Sequence, residues 1–212
     1  MTATTPPTVI VIDDDPEVRD AIGTLLRSVG LRAMLFGSTD EFLGSGRPNG
    51  PCCLVLDVRL PGRSGLDFQR ELLATNIDLS IIFITGHGDI PMTVQAMKRG
   101  AIEFLSKPFR EQDLLDAIQI GIARDRERLE EERAANALRA RFETLSARER
   151  EVLVQVIAGR LNKQIASEIG ISEVTVKVHR SNVMRKMQAS SIAELTRMAQ
   201  KLALEPKSLK PS

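Results

Sequence analysis

The stretch VIVIDDDPEVRD, residues 9–20, places four β-branched residues directly before three consecutive aspartates. The apolar run is typical of a strand that is buried on both faces. Asp is a poor strand residue, and neighbouring carboxylates repel one another. The aspartates therefore indicate either a solvated acidic turn or a site at the end of the strand where negative charge is used.

The rest of the first half repeats this pattern of an apolar run followed by a helical one. Apolar runs at 52–56 and 80–85 are as uninterrupted as the run at 9–12, while those at 31–36 and 103–107 are weaker. Helical periodicity follows at residues 16–30, 39–45, 65–75 and 89–100, and again from residue 110. Five such repeats predict an α/β fold with a doubly wound, five-stranded parallel sheet.

Charged and hydroxyl side chains stand at the ends of these predicted strands. The first, third, fourth and fifth strands end, in that order, at Asp13 to Asp15, Asp57, Thr85 and Lys107. Because functional side chains collect at the carboxyl ends of such strands, we expect these groups at one site. A hard cation such as Mg²⁺ takes carboxylate oxygens and would relieve the repulsion among the aspartates.

Asp15 has a different predicted role from its two neighbours. It precedes Pro16, and Pro is favoured in the first turn of a helix, so Asp15 is expected to be the N-cap. This leaves Asp13 and Asp14 as the candidate metal ligands of the run.

Composition excludes several classes of protein. The chain has 212 residues, of which 42% are hydrophobic and 27% charged, as expected for one or two domains. No apolar run approaches the ~18 residues of a membrane span, and the N-terminus does not resemble a signal peptide, so we expect a cytoplasmic protein without a membrane partner. The adjacent Cys52 and Cys53 lie in an apolar run, which favours reduced thiols in a buried strand over a redox pair.

The formal net charge of +1 hides an acidic front and a basic back. Residues 1–122 carry a net charge of −5, residues 123–142 carry +1, and residues 143–212 carry +5. This asymmetry predicts two domains with different partners, and nucleic acid is the expected partner of the basic one.

The segment between the halves, residues 111–141, has no Pro and a single Gly, and we predict one long helix there. Apolar residues at positions 115, 118, 122 and 129, and again at 135, 138, 142 and 145, keep the spacing of a coiled-coil seam. Polar residues such as Asp125 and Glu132 interrupt that seam. A solvated single helix rich in i,i+4 ion pairs is therefore the alternative.

The back half carries clear helix-start and helix-stop signals. Ser146 and Glu149 form a capping box before an apolar-periodic helix. Asn162 is predicted to cap a short helix that Gly170 stops, and Ser172 is predicted to cap the next helix. Two helices joined by a short turn containing Gly predict a helix-turn-helix.

The helix after Ser172 has two different faces. One is an apolar stripe suited to a core, formed by Val176, Val183 and Met187. The other holds the candidate DNA-contacting residues Val174, Thr175, Lys177, Val178, Ser181 and Arg185. Lysine can donate to guanine or phosphate, serine to a base edge, and valine can touch a thymine methyl. The alternative is an amphipathic helix whose basic residues only face solvent.

Residues 1–122 resemble the receiver domain of two-component response regulators. The resemblance rests on the DD pair at 13–14, LVLDVRLPGRSG around Asp57, ITGHGD around Thr85 and EFLSKPF around Lys107. It implies that Asp57 accepts a phosphoryl group from a partner sensor histidine kinase. It also implies that Thr85 and Lys107 contact the phosphoryl oxygens. The implied Mg²⁺ ligands are Asp13, Asp14, Asp57 and the backbone carbonyl of Arg59.

The resemblance further implies a switch formed by Thr85 and Phe104, and a cis peptide before Pro108. Phe104 has no phenol hydroxyl, so such a switch must depend on packing; the alternative is that Phe104 only fills the core. His87 is expected either to influence the loss of phosphate or to be a solvated surface residue.

Residues 143–204 resemble the LuxR-type (NarL/FixJ-type) DNA-binding domain, on the motifs LSAREREVL, NKQIA and SEVTVKVHRSNVMRKM. In that family a fourth helix, here 191–202, mediates dimer contact, and its apolar stripe suits either dimerisation or packing on its own domain. The whole chain resembles the FixJ branch. This implies a receiver (1–122), a helical linker (123–142), a four-helix DNA-binding domain (143–204) and a tail (205–212).

The function implied is that of a phosphorylation-switched transcription factor. Its implied partners are the kinase, promoter DNA, RNA polymerase and, after phosphorylation, a second copy of the chain. One alternative is a constitutive DNA-binding protein whose receiver is an interaction module. Another is a phosphatase with an aspartyl nucleophile, but Arg59 stands where a second acid would be expected, two residues after Asp57.

Overall fold

The computed structural model describes residues 5–75, 77–86 and 90–204, which form two compact units, Met1–Glu130 and Glu131–Ser212. His87, the start of the predicted helix at residue 89 and the predicted tail at 205–212 lie outside the described residues.

The first unit alternates strands and helices. Its strands are β1 (Thr8–Ile12), β2 (Arg32–Phe36), β3 (Cys52–Asp57), β4 (Ser80–Thr85) and β5 (Glu103–Ser106). The helices that follow them are α1 (Pro16–Ser28), α2 (Thr39–Ser45), α3 (Gly65–Ala74), α4 (Ile90–Lys98) and α5 (Glu111–Glu143). All strand pairs are parallel, in the order β2-β1-β3-β4-β5, which confirms the predicted doubly wound sheet. The order reverses between β1 and β3, and such a reversal opens a crevice at the carboxyl ends of those strands.

The sheet is covered on both faces because successive strand residues point in opposite directions. Ile10, Leu54 and Phe83 pack into one core cluster with Phe68 of α3, whereas neighbouring strand residues pack with α1 and α5 on the other face. Every residue of β1, β3 and β4 is buried, while β2 and β5 are partly exposed edge strands. This explains why the apolar runs at 31–36 and 103–107 are the weaker ones.

The two cysteines are free thiols buried in β3, as predicted. Burial raises the pKa of Cys52 to about 11 and raises the pKa of Cys53 as well, so both thiols stay protonated and unreactive at neutral pH. Gly121 lets α5 approach β3 closely, because a Cβ at that position would lie 2.7 Å from the Cys53 Sγ.

Four of the apolar positions that keep the spacing of a coiled-coil seam are buried inside the two units. Ile118 and Ile122 belong to the core of the first unit, and Leu138 and Leu145 belong to the core of the second. Residues 131–137 are helical and exposed, which matches the alternative of a solvated single helix over that stretch.

Asp125 of α5 is a carboxylate that is only 1% exposed, and it has hydrogen-bond partners inside the first unit. Its Oδ2 accepts from the Cys52 N–H at 2.7 Å, and its Oδ1 accepts from Arg47 at 2.6 Å and from Arg128 at 3.0 Å. Arg47 also donates to the carbonyl of Asp78 at 3.1 Å. A network of hydrogen bonds thus fixes α5 to the start of β3 beyond residue 122, where the predicted receiver ends.

The second unit holds the end of α5 and four further helices: α6 (Ala147–Ile157), α7 (Asn162–Ile169), α8 (Glu173–Met187) and α9 (Ile192–Lys201). Their apolar faces share one core around Val152, Ile165, Val183 and Leu195. In the part of the chain that the structure describes, each helix is too short or too polar to cross a bilayer.

Candidate functional site

The candidate site lies where β1 and β3 end. Asp13 directly follows β1 and is fully buried, whereas Asp14 is exposed. The Asp13 N–H donates to the Phe36 carbonyl at 3.2 Å, and the Asp13 Oδ1 accepts from the Asp15 N–H at 2.9 Å. The Asp15 side chain accepts from the Glu17 N–H, which confirms it as the N-cap of α1. The three aspartates therefore have different surroundings.

Asp57 is the last residue of β3 and is also buried. Its Oδ1 accepts from the Arg59 N–H at 2.9 Å, so the backbone of Arg59 lies beside the carboxylate. Its Oδ2 accepts from the Lys107 Nζ at 2.7 Å, and the same Nζ donates to the Asp13 Oδ2 at 2.5 Å. One ammonium group thus bridges the carboxylates at the ends of two neighbouring central strands.

The electrostatics of the site follow from burial and from this bridge. Burial raises the pKa of Asp13 above its ordinary value of 3.8, although hydrogen bonds from Lys107 and Asp15 act in the opposite direction. Burial acts to lower the pKa of Lys107, but its hydrogen bonds to Asp13 and Asp57 outweigh that effect and raise the pKa above 10.5. Lys107 therefore remains a cation at neutral pH.

The acidic cluster suits a divalent cation. Asp13, Asp14 and Asp57 each offer a carboxylate oxygen within 4.8 Å of the others. The Lys107 ammonium group pairs with two of these three carboxylates, those of Asp13 and Asp57, so its single positive charge does not balance the cluster. Hard oxygen ligands with incomplete charge compensation are the donor set that Mg²⁺ prefers.

Thr85 and Phe104 lie on β4 and β5, the two strands that follow β3 in the order of the sheet. Thr85 ends β4 and is fully buried, and its carbonyl accepts from the Lys107 N–H at 2.7 Å. Phe104 is half-buried in β5, with its ring centroid 6.1 Å from that of Phe83. The peptide between Lys107 and Pro108 is cis, as predicted.

The loop after Asp57 depends on glycine at its end. A Cβ on Gly65 would lie 2.3 Å from the Asp57 carbonyl oxygen, and the Gly65 N–H donates to the Val58 carbonyl at 2.9 Å. Gly62 adopts a φ of +79°, a conformation that favours glycine. The loop can therefore turn tightly beside the carboxylate of Asp57.

Arg19 belongs to the same neighbourhood, although sequence analysis gave it no role. Its Nη1 donates to the main-chain carbonyl of Asp13 at 2.6 Å. No motif of the sequence indicates this contact, because it joins a helix side chain to a backbone atom six positions earlier.

A second candidate site is the exposed face of α8 in the other unit. The core stripe of Val176, Val183 and Met187 is fully buried. The six candidate DNA-contacting residues are all exposed: Val174, Thr175, Lys177, Val178, Ser181 and Arg185. Val174 is 71% exposed and Val178 is 55% exposed, which is unusual for apolar side chains on a helix that already has a buried face.

Of the three N-caps predicted in the second unit, those of α6, α7 and α8, two are confirmed. Ser146 and Glu149 form the capping box of α6, and the Ser172 side chain accepts from the Thr175 N–H at 3.1 Å. The prediction that Asn162 caps α7 is wrong, because Leu161 occupies the N-cap position. The Asn162 Oδ1 instead accepts from Arg180 of α8 at 2.9 Å, while Gln164 accepts from the Leu161 N–H at 2.8 Å.

The apolar stripe of α9 packs mainly on its own unit. Leu195 and Ala199 are buried in the core of that unit, and Met198 and Leu202 pack against it. Ile192 is 42% exposed, so it is the member of the stripe that remains available for another contact.

Each of the two units matches a known protein family. Residues 9–119 match the family described as response regulator receiver domain, and residues 143–199 match the family described as bacterial regulatory proteins, luxR family.

Relatives resemble the chain over nearly its whole length. Nodulation protein W of Bradyrhizobium diazoefficiens is 54% identical over 202 residues, which covers 95% of this chain and 89% of the relative. The transcriptional regulatory protein FixJ of Azorhizobium caulinodans is 45% identical over 189 residues, covering 89% of this chain and 90% of that protein.

Among solved structures, the response regulator StyR is 50% identical, with a TM-score of 0.85 over 93% of this chain and 100% of that one. The chain therefore belongs to the two-component response regulators that join a receiver domain to a LuxR-type helix-turn-helix domain, the group that includes FixJ and nodulation protein W.

Proposed function

We propose that Asp57 accepts a phosphoryl group from a partner sensor histidine kinase and that this event controls the binding of promoter DNA. The observation that carries the proposal is the Lys107 ammonium group, which lies 2.7 Å from the Asp57 carboxylate and 2.5 Å from that of Asp13. The chain belongs to a family of transcriptional regulators rather than enzymes, which sets aside the phosphatase alternative.

In the proposed reaction, a carboxylate oxygen of Asp57 forms a bond to phosphorus as the bond from phosphorus to the kinase histidine nitrogen breaks. The imidazole leaves with the electron pair of that bond. Lys107 donates to an oxygen of the transferred group, and the Thr85 hydroxyl is the proposed second donor. The protein supplies position and charge more than covalent chemistry, as in other phosphoryl transfers.

Mg²⁺ is the proposed cofactor, held by Asp13, Asp14, Asp57 and the backbone carbonyl of Arg59. When bound, it supplies positive charge that offsets the charge on the phosphoryl oxygens. The carboxylates of the acidic cluster and the position of Arg59 next to Asp57 support this assignment.

The proposed readout is a change in the packing of Thr85 and Phe104. Phosphorylation biases the active form only through contacts that differ between the two states, so those states must lie within a few kcal/mol of one another. We propose that the change promotes dimerisation, frees the DNA-binding domain, or does both.

The proposed DNA contacts are made by α8. Lys177 and Arg185 supply positive charge, and Ser181 and Thr175 supply hydroxyl groups. The exposed Val174 and Val178 support contact with thymine methyl groups in the major groove. We propose that the protein works in the bacterial cytoplasm and activates transcription, with RNA polymerase as a partner.

The domain limits are part of the proposal: a receiver at residues 1–122, a helical linker at 123–142, a DNA-binding domain at 143–204 and a tail at 205–212. The first limit falls inside α5, and the Asp125 network, which includes Arg128, lies beyond it on the same helix.

Intact-mass spectrometry with acetyl phosphate and Mg²⁺ tests the acceptor directly. We expect one phosphoryl group on the wild type, removed by hydroxylamine as an acyl phosphate, and none on Asp57→Asn. Asp67→Asn is the matched control, because Asp67 lies in the first turn of the neighbouring helix α3, with its carboxylate exposed. If Asp57→Asn gains a phosphoryl group to the same extent as the wild type, Asp57 is not the acceptor.

A further inference from the structure

Arg19 is a half-buried residue of the first turns of α1 and holds the segment that joins β1 to this helix. Its main-chain N–H donates to the Asp15 carbonyl at 3.1 Å, and its guanidinium donates to the Asp13 carbonyl at 2.6 Å. Arg19 therefore contacts the segment at two points, one through the backbone and one through the side chain.

The carbonyl oxygen that Arg19 contacts belongs to the peptide group between Asp13 and Asp14. A peptide group is planar, so a contact that holds its oxygen also restrains the positions of the two flanking Cα atoms. The Asp13 and Asp14 side chains leave from these two Cα atoms, so the contact restrains where both carboxylates start. The hydrogen bonds of a charged donor such as guanidinium are stronger than those between neutral groups.

The other polar groups of Asp13 already have partners. Its N–H donates to the Phe36 carbonyl, its Oδ1 accepts from the Asp15 N–H, and its Oδ2 accepts from the Lys107 Nζ. Arg19 completes this set at the carbonyl, so it holds the backbone and leaves the carboxylate oxygens to their own partners.

We infer that Arg19 is a positioning residue that presets the Asp13 and Asp14 carboxylates for a divalent cation. The inference rests on the function proposed for the acidic cluster and adds a residue outside the carboxylate set. Partners that orient metal ligands commonly change metal affinity by tenfold or more when they are removed.

Calorimetric titration with Mg²⁺ tests the inference without relying on activity. Arg19→Met keeps the apolar part of the side chain but removes every donor, and we expect its Mg²⁺ dissociation constant to rise about tenfold. Arg27→Met is the control, because Arg27 lies on the same helix, is exposed and donates to the Thr24 hydroxyl at 3.0 Å. Its Mg²⁺ affinity is expected to match the wild type.

Two further readouts separate positioning from general destabilisation. Arg19→Lys restores a charged donor and is expected to bind Mg²⁺ more tightly than Arg19→Met. The rate of phosphorylation by acetyl phosphate is expected to recover in Arg19→Met at saturating Mg²⁺, with the half-saturating Mg²⁺ concentration raised about tenfold. If circular dichroism shows that Arg19→Met is unfolded, Arg19→Leu, which also has no donor, replaces it, with the same expected rise.

Unchanged Mg²⁺ affinity in Arg19→Met, or an equal loss in Arg27→Met, would overturn the inference. Asp13→Asn distinguishes this from failure of the proposed metal site. If Asp13→Asn weakens Mg²⁺ binding and Arg19→Met does not, the role of Arg19 is wrong and the site stands. If Asp13→Asn binds Mg²⁺ as well as the wild type, the proposed ligand set itself is wrong.

Discussion

At the scale of single residues, the buried carboxylates of Asp13, Asp57 and Asp125 each accept two or more hydrogen bonds. Asp57 and Asp13 share Lys107 at the candidate site, where β1 and β3 end. Asp125 lies near the other end of β3, where the strand begins, and accepts from Arg47, Arg128 and the Cys52 N–H. The first arrangement has one ammonium group for two carboxylates, whereas the single carboxylate of Asp125 has two guanidinium groups. The Asp125 network is therefore a structural one.

Replacing Asp125 by Asn tests that conclusion. The substitution keeps the size of the side chain but turns an amide N–H₂ toward donors and leaves two guanidinium groups without their carboxylate. We expect the first unit to lose about 3 kcal/mol of unfolding free energy, as when one member of a buried ion pair is removed. Urea denaturation followed by circular dichroism measures the loss, and hydrogen exchange of the Cys52 amide reports it locally.

Asp116→Asn is the control for this experiment, since Asp116 is an exposed residue of the same helix that accepts from Gln112. Its effect is expected to stay within about 0.5 kcal/mol. A loss below about 1 kcal/mol in Asp125→Asn would show that the network contributes little to stability.

At the scale of secondary-structure elements, the Glu149 carboxylate connects the start of α6 with α8 in the second unit. Its Oε2 accepts from the Ser146 N–H at 2.8 Å and from the Lys186 Nζ at 2.6 Å, and Lys186 also donates to the Thr144 carbonyl at 3.0 Å. The carboxylate therefore fastens the start of α6 to the C-terminal part of α8, the helix that carries the proposed DNA contacts.

This arrangement predicts a dependence of stability on pH. Burial acts to raise the pKa of Glu149, but hydrogen bonds from Lys186 and Ser146 outweigh it and lower the pKa below 4.5. The folded unit thus binds the proton more weakly than the unfolded chain does. The stabilisation is present above about pH 4.5 and is lost as the pH falls through the folded pKa.

We expect Glu149→Gln to cost about 2 kcal/mol at pH 7 and to flatten the loss of stability below about pH 4.5. Thermal unfolding at several pH values measures both effects. Glu151→Gln is the control on the same helix, because its carboxylate is partly exposed and pairs with Arg148 at the surface. Identical acid-side slopes in wild type and Glu149→Gln would contradict the prediction.

The elements also show which features a sequence can predict. The three central strands are evident because both of their faces are buried, and their ends meet at one edge because the sheet is parallel. Helix starts with a Ser or Asp followed by an acid are evident from local hydrogen bonding. Asn is also a favoured N-cap residue, but the Asn162 side chain accepts a hydrogen bond from Arg180, which is 18 positions away.

Two contacts of the first unit have no signal in the sequence. Asp125 interrupts a plausible coiled-coil pattern, and its true partner Arg47 lies 78 positions away in the chain. The role of Arg19 depends on a backbone oxygen, which carries no signal in the sequence. The first contact follows from how distant elements pack, and the second from the course of the backbone between β1 and α1.

At the scale of the whole molecule, an acidic receiver unit and a basic DNA-binding unit are joined within one continuous helix, α5. Ile118 and Ile122 of that helix belong to the core of the first unit, and Leu138 belongs to the core of the second. We expect the chain to form a dimer on phosphorylation, and the dimer to depend on Asp57.

Light scattering of the full chain measures this most directly. The molar mass of wild type and Asp57→Asn is determined with acetyl phosphate alone, with Mg²⁺ alone and with both together. We predict that only the wild type doubles its mass, and only when both reagents are present. Doubling in Asp57→Asn, or a wild type that stays monomeric when fully phosphorylated, would contradict a dimerisation switch controlled by Asp57.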